Sequence, residues 1–447
     1  MRIEVVHTPQ VKFSEILKDL EENLDFNIDP KLILLFLTDS VEKECSKILS
    51  YLKSRFPNSR MVGCFVEGYA TADDVWMRGL VLMLVEAEGV EVFWAKGNNT
   101  YETFKKLKDS VGTGWDAVLL IFPAFYFSSK FDLLKFGIND RMYYYRYRRA
   151  KDLRDKLRVL REYSTKLERY IYPINRVLRT MANGFPILGM NLVPLKAKVG
   201  TPRIFVDYDQ LGRGAVAICF KGKLNSIFHD AHPDRGGDFE ETVEIIKEHF
   251  PNVDMVNTVK RRIAIGEING LKPVSFLESR VRAYKAMNQS EAIKRLENGK
   301  LQTVTPYGLA FISKVTFGCS MLGLYSYPVN IYPSIFELDG FYDECLFLGE
   351  FYRGGAQKFG ELFEKKRFSD SFDLFVIDHN VIPIFGRNIH YIVEFAKRSN
   401  NNFLGIFSSC PSAYIPDLRS RYMSEIERDI FVNLTGTTTM LEICSLR

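Results

Sequence analysis

Short apolar runs that end in a polar or turn residue occur three times along the chain. They are LILLFLTDS at 32–40, AVLLIFPA at 117–124 and DLFVIDHN at 373–380. A helical stretch follows each run, and then comes a second apolar run built around a glycine: MVGCFVEGYA at 61–70, ILGMNLVP at 187–194 and LGIFSSCPSA at 404–413. A further strand-like run closes each set, at 79–95, 214–228 and 437–445. We therefore predict a strand–helix–strand–strand unit that is present in three copies.

The order of elements in this unit predicts its strand directions. Two strands joined by a helix should be parallel, with a right-handed crossover. Runs such as LILLFL and VLLIF are apolar on both faces, which is typical of strands covered by helices on both sides. We expect the third strand to join as an antiparallel neighbour. Residues 229 to about 370 mix helical and short strand-like segments, so the predicted fold class is α/β and α+β, with mixed sheets flanked by helices.

The second copy of the unit contains an insert, which we place at about 126–183. Val118 and Gly189 are 71 residues apart, whereas 29 residues separate Leu34 from Gly63. Apolar residues of the insert at 153, 157, 160, 167, 171, 174, 178 and 181 follow a heptad spacing. Such a stripe packs against another element, which could be the chain's own sheet or a helix of a partner. Pro173 should kink or end the helix that carries it.

Five segments, taken in order, carry a family resemblance. They are LLFLTDS with VGCFVEGYA, PILGMNLVP with RIFVDYDQLGRGAVAICFKG, IGEINGLKP at 265–273, YGLAFISK at 307–314, and FLGIFSSCPSAYIP with FVNLT. Together they resemble the FIST sensory family. The resemblance implies a FIST N-terminal domain over 1–228 and a FIST C-terminal domain over 229–447. Val432 departs from the family pattern, which usually has His there, and no Gly-Glu-Ile follows Ser409.

The family resemblance implies a function as well as a fold. It implies a non-enzymatic sensory protein of signal transduction that binds a small polar ligand such as an amino acid. No output domain follows the repeated units within this sequence, so we expect a separate signalling protein as partner.

Candidate ligand-binding residues follow from the predicted strand ends. In open α/β sheets, ligands bind outside the carboxyl ends of the parallel strands. These ends supply hydroxyls, carboxylates and amides that suit a zwitterion, and we expect them to surround a shared hollow. The candidates are Thr38, Asp39, Ser40, Cys64, Glu67, Asn191, Asp378, His379, Asn380, Ser408 and Ser409.

Several of these residues have a structural alternative. Asp39 with Glu42 fits a capping box at the start of a helix. Cys64 and Cys410 fit small buried residues better than nucleophiles. An enzyme, either a hydrolase or a transferase that pairs Cys410 with His379, is the alternative function.

The insert also carries the strongest charge imbalance. Residues 141–179 hold ten Arg and three Lys against two Asp and two Glu, whereas the whole chain has a net charge of only +5. Arg146, Arg148 and Arg149, interleaved with tyrosines, could contact nucleic-acid phosphates or anionic lipid. The simpler interpretation is a solvated helix face.

Composition bears on disorder, membrane insertion, cellular location and metal binding. The 447 residues are 46% apolar, which excludes wholesale disorder. No apolar run is long enough for a membrane-spanning helix, and the amino terminus lacks a signal-peptide pattern. Seven dispersed cysteines without a CxxC pair indicate reduced thiols, so we expect a cytoplasmic location. HDAHPDRGGD at 229–238 lacks a third histidine at helical spacing, and we predict no metal and no cofactor.

Overall fold

The fold is described from a computed structural model, with strands and helices numbered in chain order. The structure describes residues 1–192 (except 26 and 173), 199–228 (except 201), 237–249, 254–272 (except 257, 262 and 263), 275, 276, 279, 308–312, 319–327, 330–333, 346–349, 359–378, 389–399, 402–414 (except 409), 416, 431–433 and 438–446.

The described ranges contain three six-stranded sheets. Strands that play the same role in each unit occupy the same position in each sheet. The first sheet runs β1 (Arg2–Thr8), β6 (Leu80–Glu86), β2 (Leu32–Thr38), β3 (Arg60–Val66), β10 (Ile204–Val206) and β11 (Asp209–Gln210). The second runs β7 (Val90–Ala95), β12 (Ala215–Phe220), β8 (Ala117–Pro123), β9 (Ile187–Leu192), β23 (Cys410–Tyr414) and β24 (Phe431–Asn433). The third runs β13 (Gly222–Phe228), β25 (Thr438–Leu446), β21 (Phe372–Asp378), β22 (Phe403–Ser408), β4 (Gly68–Ala70) and β5 (Val75–Trp76).

The predicted unit is present in each sheet with the predicted strand directions. In the first sheet β2 is parallel to β3 and antiparallel to β6. In the second sheet β8 is parallel to β9 and antiparallel to β12. In the third sheet β21 is parallel to β22 and antiparallel to β25. The predicted fold class, with repeated units in mixed sheets flanked by helices, is therefore confirmed.

A further sheet of seven strands lies between the second and third units in the sequence. Its strands are all antiparallel to their neighbours. Their order is β14 (Asp254–Val256), β20 (Leu346–Gly349), β17 (Gly308–Ile312), β18 (Cys319–Tyr327), β19 (Asn330–Pro333), β16 (Ala264–Ile268) and β15 (Thr258–Arg261). The division into two domains at residue 228 stays a prediction.

The helices cover the outer faces of the three sheets. The first sheet carries α1 (Phe13–Asn23) and α2 (Cys45–Arg55), the second carries α3 (Thr100–Val111) and α6 (Ile174–Met181), and the third carries α8 (Glu361–Glu364) and α9 (Tyr391–Ser399). The other helices are α4 (Lys130–Arg149), α5 (Leu153–Leu167) and α7 (Phe239–His249). Because both faces of each sheet are covered, the central strands can be apolar throughout.

The inner faces of the three sheets meet in one apolar core. Alternate residues of the central strands point into it, including Leu34 and Phe36 of β2, Leu119 and Ile121 of β8, and Leu374 of β21, all of them at most 2% exposed. Each such side chain contributes roughly 1.5–3 kcal/mol when it is removed from water. The centre of the space between the sheets is thus filled with apolar side chains, and buried polar groups of the inner faces lie near the strand ends.

A hairpin from each unit pairs with the sheet of another unit. After β3 of the first unit, β4 and β5 join β22 in the third sheet. After β22, β23 and β24 join β9 in the second sheet, and after β9, β10 and β11 join β3 in the first. The exchange is cyclic, so no unit can complete its sheet without another.

The insert forms three helices, and the heptad stripe does not lie on one helix. Helix α4 pairs with α5 through a cluster that includes Phe136, Tyr143 and Tyr163. Helix α5 ends at Leu167, before Pro173. The last part of the stripe lies on α6, whose Leu178 and Met181 are buried against the second sheet. The carboxyl-terminal end of the stripe therefore packs on the chain's own sheet, which is one of the two predicted partners.

The close approach of β9 and β23 gives a test of the exchanged hairpin. A Cβ at Gly189 would lie 2.0 Å from Ser412 Oγ. Gly189→Ala should therefore destabilise the protein by about 1–3 kcal/mol, and Ser412→Ala in addition should restore most of the loss. Denaturant unfolding of the two single variants and the double variant measures this coupling.

The matched control is Gly137→Ala on α4, where a Cβ meets nothing within 4 Å. Alanine favours helix over glycine, so this variant should be as stable as the parent or more stable. Additive effects of Gly189→Ala and Ser412→Ala would contradict the placement of β23 beside β9.

Candidate functional site

The carboxyl ends of β21 and β22 bring two predicted site residues together. Asp378 and Ser408 are register partners in this parallel pair, and both are buried. Strand alternation places them on the inner face with Val376 and Ile406, where the apolar core ends. Thr439 of β25 is the register partner of Val376 and is fully buried on the same face.

The first unit adds a carboxylate through its exchanged hairpin. The backbone N–H of Glu67 donates to the carbonyl of Phe407 at 3.2 Å, which fixes Glu67 beside Ser408. Glu67 is 8% exposed, so a second acidic side chain lies within the protein at this edge. Two buried carboxyl groups, from the first and third units, thus lie at this edge of the third sheet.

The second unit meets this group through one hydrogen bond. The hydroxyl of Ser408 donates to the backbone carbonyl of Asn191 at 3.2 Å. Glu67, Asp378, Ser408 and Thr439 form what we name the inner polar group. Together with Asn191 it draws on all three units of the fold.

The side chain of Asn191 lies on the other face of its sheet. Leu188, Met190 and Leu192 belong to the central core, so Asn191 falls on the outer face with Ile187. Asn191 is fully buried, and neither Oδ1 nor Nδ2 has a hydrogen-bond partner among the residues that the structure describes. Leaving such groups unsatisfied costs about 1–3 kcal/mol each.

Ser412 of β23 is a neighbour of Asn191 on this outer face. Strand β9 pairs Asn191 with Cys410 and Gly189 with Ser412, so the two side chains are diagonal neighbours. Ser412 is also fully buried, and within the described ranges its hydroxyl makes no hydrogen bond. We name Asn191 and Ser412 the strand-end patch.

The predicted residues of the first unit hold the loop that contains Gly79. Thr38 Oγ1 donates to the carbonyl of Gly79 at 2.9 Å, and the N–H of Gly79 donates to Ser40 Oγ at 3.0 Å. The two hydroxyl oxygens are themselves 2.7 Å apart. Asp39 begins a 3-10 turn, Asp39–Glu44, that precedes α2, so it does not occupy the N-cap of that helix. These hydroxyls are therefore engaged in local structure.

Three predicted residues lie outside the described part of the chain, namely His379, Asn380 and Ser409. Ser412 and Thr439 were missed by the sequence analysis. Their only signal is a polar residue at an alternating position of an apolar strand, and that pattern usually marks a solvent-facing side chain.

Cys64 lies in the apolar core and is fully buried. Burial, reinforced by the charge of Glu67, raises the pKa of the Cys64 thiol far above its ordinary value. Burial likewise raises the pKa of Cys219, and it raises the pKa of Cys45 to about 11. Nucleophilic chemistry needs a thiolate, so these three thiols are unreactive in the folded protein.

The basic residues of the insert are divided between packing and solvent. Arg146 pairs with Glu162 of α5 at 2.7 Å, and Arg149 is exposed. The side chain of Arg148 lies outside the described residues. Tyr143 and Tyr147 are buried between α4 and α5 and do not offer their faces to bases.

Two negative findings concern metals and membranes. In the described ranges no group of three or more His, Cys, Asp and Glu side chains could hold a metal ion. Residues 229–236 of the histidine-containing segment lie outside those ranges. None of the described helices combines the length and the apolar character needed to cross a membrane.

Comparisons with known proteins match both halves of the chain. The model of the FIST N domain matches residues 31–144, and the model of the AF0772-like protein C-terminal domain matches residues 240–353. A protein of Archaeoglobus fulgidus named "Uncharacterized protein" is 30% identical over 383 residues. That alignment covers 85% of this chain and 99% of the relative.

Thiol accessibility gives a direct check of the cysteine assignments. We expect Cys45, Cys64 and Cys219 to resist iodoacetamide in the native protein, whereas the half-buried Cys444 reacts first among these four. Peptide mass spectrometry after timed labelling measures this order. Labelling in denaturant, where all seven cysteines should react, is the control. Rapid native modification of Cys64 would show that its surroundings are not closed.

Proposed function

The chain belongs to the FIST family, and from this premise we propose that it is a non-enzymatic sensory protein that binds a small polar ligand, such as an amino acid, at its strand ends. FIST domains are associated with sensory signal transduction and with the binding of small ligands. The proposal assigns the ligand to the strand-end patch.

The unsatisfied amide of Asn191 carries the proposal. Buried polar groups in native proteins are nearly always hydrogen-bonded, so an amide with neither atom paired among the described residues needs an explanation. An amide has two N–H donors and one carbonyl acceptor. An amino acid offers the complement, because its carboxylate accepts from Nδ2 and its ammonium donates to Oδ1.

The surroundings of Asn191 favour the same ligand class. The Ser412 hydroxyl, also unpaired in the described part of the chain, can donate to a carboxylate. Asn191 is fully buried, so a ligand that reaches it would be enclosed by protein and should be released slowly.

The enzyme alternative has less support. Cys64 is an unreactive thiol by its burial and raised pKa. His379 and the side chain of Cys410 lie outside the described residues, so the Cys–His pair stays a prediction from the sequence. For the nucleic-acid alternative, the burial of Tyr143 and Tyr147 leaves Tyr145 as the exposed tyrosine among the α4 side chains that the structure describes.

A substitution at Asn191 separates binding from folding. Asn191→Leu replaces the amide with an apolar side chain of similar shape. The unliganded variant should be as stable as the parent or more stable, by up to about 3 kcal/mol, because the unsatisfied groups are gone. A ligand at 100 times its Kd should stabilise the parent by about 2.7 kcal/mol and leave the variant unchanged.

Thermal unfolding across a panel of the twenty amino acids and related carboxylates measures both effects. The control is Asn183→Leu, which removes a half-buried amide that donates to the Gly112 carbonyl. This variant should lose stability and keep its ligand response. A flat response of the parent to the whole panel, or an unchanged response of Asn191→Leu, would contradict the proposal.

A further inference from the structure

Helix α4 presents a second apolar face to solvent. Six of the fourteen large apolar side chains that are exposed in the described part of the chain lie on this helix. Five of them, at spacings of three or four residues, form one stripe: Phe131, Leu134, Ile138, Met142 and Tyr145. Their exposed fractions are 44–62%. We name these five residues the outer stripe.

The opposite face of α4 is anchored on the protein. Phe136, Tyr143 and Tyr147 are buried in the cluster with α5, and the ring centroids of Tyr143 and Tyr163 are 5.6 Å apart. Arg146 pairs with Glu162 of α5. The helix therefore cannot bury the outer stripe by rotating about its axis without losing these contacts.

Cationic side chains border the outer stripe on both sides. Lys135 lies on one side and places Nζ 4.4 Å from the ring centroid of Phe131. Arg141 lies on the other side, 5.8 Å from the ring centroid of Tyr145. Lys130 and Arg149 are exposed near the two ends of the helix. Long cationic side chains that lie along apolar groups and keep their charge in water are typical of helices at a lipid interface.

We propose that the outer stripe binds the surface of an anionic lipid membrane. The apolar side chains enter the boundary between headgroups and acyl chains, and the bordering Lys and Arg contact lipid phosphate and carboxylate groups.

A second copy of the same helix is disfavoured because it would bring Lys135 and Arg141 against like charges. Asp132 of this helix is engaged with Ser128 and Ser129 at the helix start, so it offsets little of the positive charge at the stripe.

The experiment uses the full chain and vesicles in a flotation assay. We expect binding to mixed phosphatidylcholine and phosphatidylserine vesicles, weaker binding at high salt, and no binding to pure phosphatidylcholine. Leu134→Glu, on the outer stripe, should weaken binding about tenfold or more. Lys135→Gln with Arg141→Gln should weaken it and reduce its salt dependence.

The matched control is the adjacent residue of the same helix. Leu133 is 47% exposed and Leu134 is 58% exposed, but Leu133 points about 100° away around the helix and lies off the stripe. Leu133→Glu should therefore keep the parent's vesicle binding, and circular dichroism should show both variants folded. Equal loss in both variants, or no binding of the parent to anionic vesicles, overturns the proposal.

A third outcome also overturns it. A concentration-dependent dimer that Leu134→Glu dissociates, without vesicle binding by the parent, would assign the outer stripe to a second copy of the chain. Sedimentation velocity of the parent and both variants measures this outcome. Ligand binding at the strand ends is independent of these results, because neither Leu133 nor Leu134 belongs to that site.

Discussion

The shared apolar core between the three sheets is the constraint on which the rest of the structure depends. Each sheet has an inner face that is apolar along its central strands, and the other two sheets cover it. The cyclic exchange of hairpins adds backbone hydrogen bonds between the units to this burial. It also protects the edges of the parallel pairs, which would otherwise invite pairing with other chains. The three units consequently depend on one another for their folding.

This constraint also fixes where chemistry can occur. A core filled with apolar side chains has no room for polar groups between the sheets, so they gather where the strands end. Glu67 belongs to the first unit, Asn191 to the second and Asp378 to the third, and each lies at or beside the carboxyl end of a core strand. A ligand that bonded to groups of two units would stabilise one mutual arrangement of these units over others. Such differential stabilisation is what a sensory domain requires.

The sequence predicted the repeated unit because its signals are local. Runs such as LILLFL and VLLIF predict strands covered on both faces, and the helix between two such runs predicts that they are parallel. The exchange of hairpins has no local signal, since β4 and its partner β22 are more than 300 residues apart and neither run specifies a partner. For the same reason Ser412 and Thr439 were missed. Their burial results from elements that arrive from distant parts of the chain.

The two faces of α4 show a second limit of pattern analysis. Heptad spacing assumes one apolar stripe per helix, but α4 has an inward face with Phe136 and Tyr143 and an outward face with Leu134 and Ile138. Because apolar side chains lie on two opposite faces, the sequence of α4 shows no single apolar stripe. The excess of Arg and Lys is then the main signal, and it indicates nucleic acid as readily as lipid. The structure separates the faces by burial. Tyr143 and Tyr147 are on the buried face, whereas Tyr145 is on the exposed face, which the cations border.

The position of α4 in the chain relates its exposed face to the strand ends. The segment 124–129 that joins β8 to α4 is bonded to the neighbourhood of Asn191, because the N–H of Ala124 donates to the carbonyl of Leu192 at 2.8 Å. Phe127, in the same segment, packs on Phe136 of α4, with ring centroids 5.3 Å apart. A displacement of β9 by a bound ligand would therefore reach the start of α4 through this segment. One short segment of backbone thus connects the surroundings of the buried Asn191 to the helix that carries the outer stripe.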